Sequence, residues 1–122
     1  MEERATVVVA SASDGVRAQL RLTLGEERFE VVEAEDASGA ATEIAGHHPG
    51  VVVLDADLPG DGARSLATSL RAHPETEHVR ILLLAPRERD VAELPDEVDA
   101  TVGLPATSFA LLRRIEDLLT DA

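Results

Sequence analysis

The chain has 122 residues and no cysteine, which excludes disulfide bridges and cysteine-ligated zinc or iron–sulfur centres. It has no lysine either, since all 11 basic residues are arginine. Trp and Tyr are absent, and Phe29 and Phe109 are the only aromatics. Chemistry that needs an ammonium group or an aromatic sandwich must therefore work without one. Positive charge is scarce, with 24 acidic residues and a formal net charge of −13. Nucleic-acid backbones and anionic membranes are repelled by such a surface, whereas a protein partner with a basic patch suits it. No apolar run approaches the ~20 residues of a membrane span. The opening Met1-Glu2-Glu3-Arg4 lacks the basic and apolar regions of a signal peptide. The expectation is one soluble cytoplasmic domain over 1–122.

What is present is an alternation of short β-rich runs and helical patterns. Thr6 to Ala10 reads as a strand. A stripe at Val16, Leu20 and Leu24 follows, spaced as one face of a helix. Ser13 or Asp14 can cap that helix, and Gly25 can end it. Phe29 to Glu33 reads as a second, less buried strand. Asp36 or Ser38 opens a second helix through Ile44, with Gly46 and Pro49 expected to stop it. Val51 to Leu54 is continuously apolar, as a central parallel strand covered on both faces should be. A third helix carries Leu66, Ala67 and Leu70. Val79 to Ala85 is the fourth strand, a short helix lies near Arg89 to Leu94, and Ala100 to Gly103 is a weak fifth strand. Thr107 or Ser108 caps a last helix bearing Leu111, Leu112, Ile115, Leu118 and Leu119. Five βα units predict an α/β fold, a doubly wound parallel sheet with helices on both faces in three layers.

In such sheets function collects at the carboxyl ends of the strands. Those ends are Ser11, Asp55, Ala85 and Leu104, with Asp14 and Asp57 in adjoining loops. The run from Val51 through Asp55-Ala56-Asp57-Leu58-Pro59-Gly60-Asp61-Gly62 resembles the phosphoacceptor strand and turn of bacterial response-regulator receiver domains. Arg17 and Gly103-Leu104-Pro105 also fall in register, and the resemblance covers roughly residues 6–119. It implies the flavodoxin-like strand order 2-1-3-4-5 and a cis bond at Leu104-Pro105. It also implies a phosphorylation site built from five parts. The phosphoacceptor falls on Asp55 and is retained. The acidic pair that binds Mg²⁺ falls on Ser11 and Ala12, the phosphoryl-binding hydroxyl on Ala85, the lysine on Leu104 and the switch aromatic on Thr101. All four of these are lost.

Phosphoryl transfer relies on positioning and electrostatic stabilisation. Losing one oxyanion-type contact costs about 3 kcal/mol. Asp55 with Ser11 makes a poor octahedral Mg²⁺ site. Asp14, Asp57 and Arg87 are the nearest substitutes. Their ordinary readings are a helix cap, a solvated loop acid and a partner for Glu88 or Asp90. His47, His48, His73 and His78 sit at helix ends and loops, where surface solvation is their ordinary role.

The leading expectation is thus a degenerate receiver, non-enzymatic and without cofactor or metal. It would signal through protein contact with a sensor kinase, an output domain or a second copy. The resemblance places its contact face on the fourth helix, fifth strand and last helix, at Val91, Leu94, Thr101, Val102, Phe109, Leu112 and Arg113, most of which could equally be core residues packing the last helix on the sheet. Two alternatives are a working receiver phosphorylated at Asp55 and a small-ligand site in the greasier pocket beside Ala85 and Leu104. The missing aromatics argue against flavin as that ligand.

Overall fold

The computed structural model describes residues 5–25, 29–85, 97–103 and 108–120, with only the backbone described at 108 and 109. Its elements follow in order: β1 (Ala5–Ala10), α1 (Asp14–Leu24), β2 (Phe29–Ala34), α2 (Ala37–His47), β3 (Val51–Asp55), α3 (Gly62–Ala72), β4 (Arg80–Ala85), β5 (Ala100–Gly103) and α4 (Ser108–Thr120). The strands form one parallel sheet in the order β2-β1-β3-β4-β5. This is the expected doubly wound arrangement.

Strand side chains alternate between the two faces, so each strand feeds two cores. Val8, Val52, Leu54, Ile81 and Leu83 pack on one face with Ile44, Leu66 and Leu70 of α2 and α3. Val7, Val9, Val51, Val53, Leu82 and Leu84 pack on the other, with Leu20 and Leu24 of α1 and Leu111 and Ile115 of α4. The unbroken apolar character of β3 and β4 follows from this covering on both sides. Burying each Val or Leu contributes about 1.5–3 kcal/mol. Val102, a candidate for either the contact face or the core, is buried in the second core, because its parity on β5 turns it to the face covered by α1 and α4.

Helix ends follow local chemistry. Ser13 is the N-cap of α1 and its hydroxyl accepts from the Val16 N–H at 3.2 Å. Gly25 ends that helix at φ 65°. Asp36 caps α2, accepting from the Gly39 N–H at 2.7 Å. Gly46 does not stop α2. The helix runs on through His47, and His48 closes it in the left-handed region, its N–H bonded to the Ile44 carbonyl. A single solvent-facing glycine costs only about 1 kcal/mol, less than the tertiary packing of a helix supplies.

A clamp at the opposite end of the sheet from the strand tips has no counterpart in the sequence expectations. Arg71, near the end of α3, donates to the carbonyls of Glu97 (3.1 Å), Glu77 (2.7 Å) and Val79 (2.5 Å) and to Asp99 Oδ2 (2.7 Å). Asp99 Oδ2 also accepts from the Ile81 N–H at 2.7 Å. One guanidinium thus ties α3 to the starts of β4 and β5. The short helix expected near 89–94, Val91, Leu94, Arg87, Leu104, Pro105, Thr107 and the Phe109 side chain lie outside the described residues. Among the described residues no helix is long and apolar enough to cross a membrane.

Candidate functional site at the strand tips

β1 and β3 are in register, with Ala10 opposite Leu54. Ser11 and Asp55 come one step later. Ser11 shares parity with Val9, and Asp55 with Val53, so both side chains emerge on the same face of the sheet. They meet there. The Ser11 hydroxyl donates to Asp55 Oδ2 at 2.7 Å, and both residues are buried, at 0% and 5% exposure. Asp55 Oδ1 accepts from the Asp57 N–H at 2.9 Å. Each carboxylate oxygen therefore has a donor supplied by the chain itself, which meets the requirement for satisfying a buried acid.

Ser11 is held from several directions. Its own N–H donates to the Ala34 carbonyl at 3.0 Å. Its hydroxyl accepts from the Ser13 N–H at 3.1 Å, and its carbonyl accepts from Arg17 Nη1 at 2.6 Å. Arg17 is itself buried and surrounded by carboxylates. It pairs with Asp14 and lies 3.5 Å from Glu33 and 3.7 Å from Glu35. Glu33 also binds Arg21 at 2.7 Å. The loop after β1 is thus pinned by β2 and α1 over the Asp55 carboxylate.

The sequence-expected residues divide clearly. Ser11 and Asp55 are brought together. Asp57 joins them through its backbone, while its side chain is exposed. Asp14 turns to Arg17 rather than to Asp55. Ala12 is exposed and offers no ligand atom, and Ala85 is buried at the end of β4 with no hydroxyl. Thr101, where the resemblance places an aromatic, has a buried hydroxyl oxygen with no hydrogen-bond partner. Of the expected contact face, Leu112 is half-buried and Arg113 exposed on α4. His47 lies 3.3 Å from Glu43 and 3.6 Å from Glu30. Sequence reasoning named both strand ends but not their contact. The one signal for it is shared parity, which says nothing without the register.

Mg²⁺ takes oxygen ligands in near-octahedral array, with one or two carboxylates. The residues here do not fit it. The Ser11 hydroxyl proton is spent on Asp55, and Ala12 supplies nothing. Among the described residues no group of three or more His, Asp or Glu stands where it can hold a metal ion.

No family model matches the chain. It is similar to the regulatory protein VanRB of Enterococcus faecalis, at 28% identity over 113 residues, covering 93% of this chain and 51% of that protein. It is also similar to the phosphate regulon transcriptional regulatory protein PhoB of Rhizobium meliloti, at 29% over 119 residues, covering 95% and 52%. The chain therefore spans about half the length of these relatives. Among solved structures, a response regulator from Chloroflexus aurantiacus superposes with a TM-score of 0.88 at 24% identity, covering 96% of this chain and 98% of that one.

Proposed function

We propose, on the premise that this chain has the fold of response-regulator receiver domains, that it is a signalling module working by protein contact, without a magnesium-dependent phosphorylation cycle at Asp55. The observation that carries this reading is the hydrogen bond from Ser11 to Asp55. A phosphoacceptor must present a free carboxylate oxygen to the phosphorus while a metal and a cation neutralise the incoming charge. Here that oxygen accepts from a buried hydroxyl. No ammonium group exists on any side chain of the protein to approach it. Asp55 acts instead as a structural acid, tying β1 to β3 and closing the turn at Asp57.

The partner is a protein with a basic surface, chosen by the chain's net charge of −13. A sensor kinase, an output domain and a second copy are the three candidates. A cytoplasmic location and one domain over 1–122 belong to the same proposal. The module is not an enzyme in this reading.

The competing reading, phosphorylation at Asp55, draws on the place of that residue at the end of β3. Incubation with Mg²⁺ and acetyl phosphate, followed by intact mass measurement, separates the two. The expected result is an unmodified chain under conditions that label an ordinary receiver. An acyl phosphate on Asp55 would overturn the proposal.

A further inference from the structure

A cleft of about 410 Å³ opens between α2 and α3, away from the strand tips. Its volume falls in the range of small-molecule sites, roughly 300–1,000 Å³, which are mostly apolar with a few placed polar groups. Ala41, Ile44, Ala45, Leu66 and Leu70 give it an apolar lining. The polar groups around it are unusual in kind. His73 Nδ1 lies 2.7 Å from the Ser69 carbonyl, which can only accept, so Nδ1 carries the proton and Nε2 is left as an acceptor in the neutral ring. The Thr76 hydroxyl is committed to the Leu70 carbonyl at 2.8 Å. Glu75 adds a carboxylate that has no ion-pair partner among the described residues. His48, which closes α2, and Ser69 also line the cleft, so two imidazoles stand with Glu75, the one carboxylate of the lining.

We infer that this cleft is a binding site for a small organic cation with an apolar body, an alkyl or aryl amine or amidine. Its apolar part would cover the alanine and leucine walls. Its N–H donors would meet Glu75 and the acceptor nitrogen of His73. The chain's net charge of −13 concentrates cations near its surface and disfavours an anion in the same place. This inference is independent of what happens at Asp55.

Nuclear magnetic resonance titration of the full ¹⁵N-labelled chain tests it, in about 0.15 M salt to screen diffuse attraction. The probes are 2-phenylethylamine, 2-phenylethanol and 3-phenylpropionate, which share an aryl body and differ in charge. The amine should give saturable shifts at Ala41, Ala45, Ser69 and Glu75, with a Kd about fivefold below that of the alcohol. Glu75→Gln should reduce that gap to less than about twofold. Ala45→Leu, which places bulk at an exposed wall position, should remove saturation by both probes. If that variant loses its far-ultraviolet circular dichroism, Ala41→Leu takes its place. Absence of saturable shifts, equal or tighter binding of the carboxylate, an undiminished amine preference in Glu75→Gln, or saturation that persists in the folded wall variant would each overturn the site.

Discussion

The Ser11 hydroxyl stands 2.7 Å from Asp55 Oδ2 although 44 residues separate the two in the chain. It donates to one carboxylate oxygen while the Asp57 N–H donates to the other. The same contact joins two central strands at their exit from the core. The contact thereby ties the Asp55 carboxylate into the scaffold.

Removing the hydroxyl should be felt in stability. Ser11→Ala leaves a buried carboxylate oxygen without its donor, at a cost of about 1–3 kcal/mol in urea unfolding. The double-mutant cycle with Asp55→Ala should give a coupling of about 1 kcal/mol. Additive losses would mean that the contact contributes nothing.

Restoring the acidic pair should restore sensitivity to metal. In Ser11→Asp with Ala12→Asp, three carboxylates crowd one strand tip and the thermal midpoint drops, since like charges destabilise each other. About 10 mM Mg²⁺ should recover much of that loss by binding the folded state. The unaltered chain should respond to Mg²⁺ no more than to sodium chloride of equal ionic strength. An equal response in both proteins would count against the account of the site.

The Arg71 clamp predicts a difference between two conservative changes. Arg71→Met strips the donors from the carbonyls of Glu77, Val79 and Glu97 and from Asp99, costing about 2–3 kcal/mol. Arg71→Lys should recover little, because a single ammonium lacks the planar fork that reaches several acceptors at once. Full recovery in denaturant midpoint would show that charge alone matters there.

Much of this fold could be read before any coordinates. The apolar run at Val51–Leu54 and the stripe at Val16, Leu20 and Leu24 are local signals that arose where expected, and of the paired cap candidates Ser13 and Asp36 are the caps. Gly46 misled because its cost is small against the packing of α2. Val102 could be read as a contact residue or as a core residue, and its place opposite Leu84 puts it in the second core. Arg71 was silent because its partners Glu97 and Asp99 lie 26 and 28 residues away. At the candidate site, Ser11, Asp55 and Ala85 were legible as the residue types at the strand ends. The contact between Ser11 and Asp55 was not, since it depends on strand register.

Electrostatic self-repulsion gives a further test. With a net charge of −13, raising sodium chloride from about 0.05 to about 1 M should screen more repulsion than it weakens in pairs such as Arg21–Glu33. The melting temperature should rise by roughly 5 °C, equivalent to about 1 kcal/mol. A fall would show that the ion pairs outweigh the general field.

Ser11, Asp55 and Ala85 belong to neither of the two apolar clusters that sandwich the sheet. The apolar packing on both faces of the sheet therefore does not depend on which side chains stand at the rim, whereas the joint between β1 and β3 does.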